Sequence, residues 1–325
     1  MIFPTSDHCD GTHFFNPGAT VIRRRVSRLA MLRWLLWRRR PERAVWPRAV
    51  PNPPQPPPPA HVAPGTAAVT FINHASFLLR LPGAVLLTDP IFSRRCSPVS
   101  WAGPARAREP GIALAALPRP DLILLSHNHY DHMDIPSLRA LAERHRPRVV
   151  TLLGNAGLLA RHGIAATELD WWDALELGGL RITATPARHF AARTPWDRNR
   201  ALWGGFMVQD GQGRLLFAGD SGAGPHWQEI AGRLGRPHLA LLPIGAYLPR
   251  RIMAPVHMDP KEAVQAHLAL GAGRSVGMHF GTFQLTDEAI DAPPLALAAA
   301  RAAAGLAATD FITLEPGETA ICRFG

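Results

Sequence analysis

Lysine is almost missing from this chain: Lys261 stands alone, and arginine supplies the rest of the 35 basic residues. Usage so one-sided reads as a compositional habit, not as selection for contacts with phosphate. Cysteine is equally scarce. Cys9, Cys96 and Cys322 are odd in number and far apart, which excludes a disulfide-built scaffold. Charged residues make up only 18% and apolar ones 47% of 325, so wholesale disorder is excluded and a sizeable core is affordable. No apolar run is long enough to cross a bilayer. The stretch Leu29–Trp37 is the nearest approach, and Arg33 interrupts it. The first twenty residues lack an apolar core behind a basic start, so no secretory leader is indicated and a cytoplasmic chain is expected.

What charge there is lies unevenly. The formal net charge is +10, and residues 1–50 hold ten arginines against Asp7, Asp10 and Glu42. The remainder is nearly balanced and shows no aromatic–basic stripe, which disfavours nucleic acid as a partner. On a helical wheel Ile22, Val26, Leu29 and Leu36 share a face, with Arg25 and Arg33 close beside it. Two readings stand: a helix packed on the body, or an anchor in which Trp34, Trp37 and arginines meet an anionic membrane. Residues 41–64 carry ten prolines and are expected to form an extended linker. The organisation expected is therefore a basic segment over 1–40, a linker over 41–64 and one large domain over 65–325.

That domain alternates short apolar runs with helical stretches. Strands are expected at Ala67–Ile72, Ser76–Leu81, Ala84–Thr88, Asp121–Leu125, Arg148–Leu153, Leu180–Thr185, Gly205–Val208, Leu215–Ala218, Leu239–Leu242, Ser275–His279 and Phe311–Leu314. Helices are expected at Ser137–His145, Lys261–Leu270 and Leu295–Ala304. Asp259, Pro260 and Glu262 mark the start of the second helix as cap, first position and capping partner. The pattern is that of a layered α/β sandwich.

The chemistry concentrates in Ser126-His127-Asn128-His129-Tyr130-Asp131-His132, just after a buried strand. Alternation puts His127, His129 and Asp131 on one side, and His132 follows as the chain turns. Imidazoles with a carboxylate suit zinc, with iron or manganese as alternatives. His189, Asp220 and His279 follow other strands closely, and one sheet edge can gather all of them.

These residues, in this order, resemble the metallo-β-lactamase-fold hydrolases. Leu87-Thr88-Asp89-Pro90, Leu169-Asp170-Trp171-Trp172, Phe217-Ala218-Gly219-Asp220, His257-Met258-Asp259-Pro260 and His279-Phe280-Gly281-Thr282 are similar to the N-acyl-phosphatidylethanolamine-hydrolysing phospholipase D family. Phe14-Phe15-Asn16-Pro17 is similar to that family's N-terminal region. The resemblance implies a four-layer αββα sandwich of metallo-β-lactamase type, carrying an N-terminal extension and two Zn2+ ions per chain. It places His127, His129 and His189 on the first ion and Asp131, His132 and His279 on the second, with Asp220 bridging. Asp131 would also hold the attacking water, and His257 matches a family histidine near the reaction. The implied activity is release of N-acylethanolamine and phosphatidic acid from a phospholipid, with contact at an anionic membrane. A lactonase or soluble phosphodiesterase of the same fold is the alternative, and a nucleic-acid-binding or RNA-cleaving protein a distant one. Oligomerisation is left open.

Two departures and some accessory residues matter as well. Asn73 precedes His74 where the family carries glycine, and Leu248 stands where close relatives carry an acid. Asp89 is placed either to orient a ligand imidazole or to cap a turn. Arg188 and Arg193 flank His189 and are candidates for meeting a phosphate.

Overall fold

A computed structural model describes residues 2–18 and 43–324 of the chain. The expected helix around Ile22–Leu36 lies outside the described residues. The strands are β1 (Thr66–Asn73), β2 (Ser76–Leu81), β3 (Ala84–Thr88), β4 (Leu122–Leu125), β5 (Arg148–Leu152), β6 (Thr167–Leu169), β7 (Ala174–Leu177), β8 (Leu180–Thr185), β9 (Gly205–Gln209), β10 (Arg214–Phe217), β11 (Leu239–Pro243), β12 (Arg274–Met278), β13 (Phe311–Ile312) and β14 (Thr319–Arg323). The helices are α1 (Ile135–His145), α2 (Ala156–Ala160), α3 (His226–Leu234), α4 (Arg250–Met253), α5 (Pro260–Leu270) and α6 (Ala292–Ala303).

Two sheets of seven strands result, in the orders β14-β1-β2-β3-β4-β5-β6 and β13-β12-β11-β10-β9-β8-β7. Each opens with antiparallel neighbours and continues in parallel ones: β3, β4, β5 and β6 in the first, β10, β11, β12 and β13 in the second. Strand alternation explains the layers. Along β4, Leu122 and Leu124 enter the core shared with the second sheet, while Ile123 and Leu125 pack with Leu138 and Leu141 of α1 and Leu159 of α2. The second sheet's β11 is buried throughout and packs with α3 and α5 residues including Trp227, Ile230, Val264 and Leu270. Helix, sheet, sheet, helix is the expected four-layer order.

Helix α5 begins as its sequence dictates. The Asp259 side chain accepts from Glu262 N at 2.9 Å and Glu262 accepts from Asp259 N at 3.1 Å, a reciprocal cap typically worth about 1 kcal/mol. Among the described residues no helix is long and apolar enough to cross a membrane.

The proline-rich stretch is not a free spacer. Ala44 N donates to Asp287 O, Gln284 Nε2 to Ala44 O, Trp46 Nε1 to Glu288 O and Val50 N to Ala107 O, so this part of the linker is strapped to the body. The extreme N-terminal residues also pack on the domain. Phe14 is fully buried, and His8 stacks on Trp171 with ring centroids 4.4 Å apart. The His8 ring is held between Asp7 at 2.6 Å and Asp170 at 2.8 Å. His8 therefore serves structure, tying the N-terminal segment to the domain.

Burial acts to lower the His8 pKa, but hydrogen bonds and charge from Asp170 and Asp7 outweigh it and raise the value above the ordinary one. A raised folded-state pKa gives stabilisation that is complete below about pH 6.5 and fades as pH rises through the folded value. The gap in thermal midpoint between wild type and His8→Gln should therefore be widest below that pH and narrow above it. A gap independent of pH would contradict this account of the contact.

Candidate metal centre

The ligand-type residues arrive just past the ends of strands in both sheets. The strand β1 delivers His74, β3 Asp89, β4 the His127–His132 loop, β8 His189, β10 Asp220 and β12 His279. Several of these ends need unusual backbone. His74, Asp89 and His279 have φ of 50°, 32° and 64°, in the left-handed region that costs a non-glycine residue of order 1 kcal/mol. At Gly219, with φ of 61°, a Cβ would lie 2.4 Å from Gly204 O and 2.8 Å from the Ser126 Cβ. Glycine is required there for β10 to hand Asp220 across to the β4 loop.

Two groups of side chains form. In the first, His129 Nδ1 lies 2.9 Å from His127 Nε2 and 3.2 Å from His189 Nε2. The outer nitrogens fix the tautomers. His189 Nδ1 lies 3.0 Å from the carbonyl of Val256, which can only accept, so that nitrogen bears the proton. The Ser126 hydroxyl donates to Asp89 Oδ2 and so accepts from His127 Nδ1. Both Nε2 atoms then present lone pairs toward the same point as His129 Nδ1. Convergent lone pairs repel unless a cation lies among them.

In the second group, Asp131 Oδ2 lies 3.0 Å from His74 Nε2, 3.3 Å from His279 Nε2 and 3.5 Å from His132 Nε2. Asp220 Oδ2 stands between the groups. It is 3.1 Å from both His132 Nε2 and His279 Nε2, and 3.7 and 3.9 Å from His189 Nε2 and His127 Nε2. Despite these separations, His132 Nε2, His279 Nε2 and Asp220 Oδ1 are buried without a hydrogen-bond partner. Asp89 explains His132: its Oδ2 is 2.6 Å from His132 Nδ1, which turns the other nitrogen inward as a donor of electrons. Orphaned buried nitrogens and oxygens aimed at common points are the donor set of a metal centre.

The comparisons with known proteins agree. The Beta-lactamase superfamily domain matches residues 85–280. This chain belongs to the beta-lactamase superfamily. An uncharacterized protein of Mycobacterium tuberculosis is 39% identical over 224 residues, covering 67% of this chain and 59% of that one. The N-acyl-phosphatidylethanolamine-hydrolyzing phospholipase D 1 of Caenorhabditis elegans is 34% identical over 264 residues, covering 77% of this chain and 74% of the worm protein. Among solved structures, Igni18, a metallo hydrolase of Ignicoccus hospitalis, aligns with a TM-score of 0.62 at 25% identity, over 80% of this chain and all of its own. The chain thus spans about three fifths of the length of the mycobacterial relative it matches, and it has the expected fold.

Charge divides this centre. Burial drives His127 and His189 well below the ordinary imidazole value and His129 down to about 4, so these rings are neutral donors of lone pairs. Burial acts to lower His132 and His279 too, but Asp220 and Asp131 outweigh it, holding His132 well above the ordinary value and His279 up to about 9. The two carboxyls, which burial would raise, are kept well below their usual range by the facing imidazoles. The two buried carboxylates thus require positive charge beside them, carried by the His132 and His279 rings or by a cation that replaces their Nε2 protons and leaves both rings as lone-pair donors.

All seven residues expected as metal ligands come together, and His257 lies beside them with its ring 5.0 Å from that of His189 and 5.2 Å from that of His279. Burial pushes His257 down to about 4, so it is neutral. The sequence underrates His74, which shares the strand-end signal of the others and holds Asp131. Asn73 replaces the family glycine without loss of the turn, because its Nδ2 donates to Ile91 O while His74 N donates to Thr282 Oγ1. Asp89 orients His132, the first of its two anticipated roles. Arg193 departs from expectation. Its guanidinium donates to Asn128 O at 2.8 Å and Met133 O at 2.9 Å and covers the Tyr130 ring, tying the ligand loop in place.

Replacing Asp89 by Asn should weaken metal binding about 10- to 100-fold, since such supporting partners fix ligand orientation. Chelator competition reads this directly, and affinity equal to wild type would mean that the Asp89–His132 contact does not support a ligand.

Proposed function

We propose that the chain is a dinuclear zinc phosphodiesterase of phospholipase D type, acting on N-acyl-phosphatidylethanolamine. The observation that carries it is Asp220 Oδ2, which faces imidazoles of both groups as a bridging ligand would. His127, His129 and His189 would hold one ion, Asp131, His132 and His279 the other, and Asp220 both. The bound ions supply Lewis acidity, making water a nucleophile near neutral pH and offsetting charge on the phosphoryl group. Asp131, fixed by His74, orients the water by accepting its hydrogen bond. Neutral His257 orients a substrate oxygen without arriving as a charged acid. Hydrolysis then cleaves the bond from phosphorus to the ethanolamine oxygen, leaving phosphatidic acid and N-acylethanolamine. The similar worm protein bears the name of this activity.

A cleft of about 810 Å³ lies beside the ligand loop, lined by Asn128 and Tyr130 and by Arg94, Arg95, Arg161 and Arg200. Its acids are occupied: Asp134 accepts from Ser93 and Ser137, and Asp197 from the Arg193 and Thr194 amides. The cleft is thus a positive approach for an anionic substrate. Trp101 and Trp196, 79% and 83% exposed, adjoin lining residues and suit peripheral contact with an anionic membrane from the cytoplasmic side. The arginine lining also favours a second reading, a soluble phosphodiester as substrate.

One panel separates these readings: N-acyl-phosphatidylethanolamine in mixed micelles, bis(p-nitrophenyl) phosphate and a lactone, with wild type and Asp220→Asn. The lipid should be hydrolysed fastest, and the variant should lose about 100-fold or more. Hydrolysis of the soluble diester without the lipid favours the second reading, and lactone turnover alone refutes both.

A further inference from the structure

His189 lies past the end of β8, where no strand neighbour pairs its backbone. Both of its main-chain groups are nevertheless bonded, by one side chain from far away in sequence. Asn16 Nδ2 donates to His189 O at 2.9 Å, and His189 N donates to Asn16 Oδ1 at 3.2 Å. The primary amide is the side-chain group suited to this, since it carries a donor and an acceptor side by side, as a neighbouring strand would. Trp203 Nε1 also reaches Asn16 Oδ1 at 3.3 Å. The segment bearing Asn16 is itself anchored. Phe14 is buried, its N–H donates to Asn199 O at 2.8 Å, and His8 bonds Asp170. With the His189 ring pinned by Val256 O, backbone and ring are fixed from opposite sides.

We infer that Asn16 is a positioning residue of the metal centre: the N-terminal segment completes the site by setting the backbone of His189. The inference rests on reading His189 as a metal ligand. It means that the hydrolase domain outlined at residues 65–325 lacks one support of its own centre, and that the stretch 2–18 belongs to the catalytic unit.

Asn16→Asp is nearly isosteric. It keeps the acceptor for His189 N and Trp203 Nε1 but turns a carboxylate oxygen toward the His189 carbonyl. In the full chain, titrated with zinc against a chromophoric chelator, Asn16→Asp and Asn16→Ala should bind the zinc that His189 would hold about 10- to 100-fold less tightly. Activity toward a soluble diester should recover as free zinc is raised, with KM unchanged. A role in folding alone would lower the urea midpoint of the chelated protein while leaving zinc affinity at the wild-type value, and that result overturns the inference. His189→Ala is the companion. If it binds zinc weakly while Asn16→Asp matches wild type, the positioning role fails alone; if His189→Ala itself binds zinc normally, the ligand assignment fails with it.

Discussion

Everything in this molecule turns on a buried carboxylate. Asp220 is brought by β10 through a glycine turn into the midst of four imidazole nitrogens, none more than 3.9 Å from Oδ2. Burying such a charge costs several kcal/mol unless it is matched. The surrounding architecture supplies the match. Two sheets point their carboxyl ends to one edge, the strained left-handed residues there turn the chain inward, and Asp89 and Val256 fix which ring nitrogen faces the centre. Strain, tautomer and charge are parts of one arrangement.

How much of this was legible in the sequence depended on the range of the interactions. The metal centre was legible because its ligands are chemically distinctive and lie just after apolar strands. Core strands followed for the same reason, with β2, β3 and β8 matching their expected limits. The strands β6, β7 and β14 were not anticipated. They stand at or next to sheet edges, are short, and expose many of their side chains, so they show no sustained apolar signal. Helix α3 escaped notice because only His226, Trp227 and Ile230 are buried in nine residues. Helix α6 starts at Ala292, earlier than expected, since Pro293 and Pro294 are tolerated in a first turn.

The support of the site was less visible than its ligands. His74 and Asp89 each reach a ligand through one hydrogen bond and Asn16 through a pair, across 43 to 173 positions of sequence, and no periodicity records such contacts. Arg193 illustrates the reverse error. Its position near His189 suggests a phosphate ligand, whereas the fold uses one guanidinium nitrogen, Nη1, to bind two carbonyls of the ligand loop. Proline content is equally silent about the bonds from Ala44 to Val50 onto the body, because an extended chain without its own ladder can still bond to a body beside it.

The most direct test of this account is anomalous diffraction at the zinc edge from crystals of the full chain. The account predicts two peaks, one among His127, His129 and His189 and one among Asp131, His132 and His279, with Asp220 between them. A single peak, or none at this sheet edge, would contradict it.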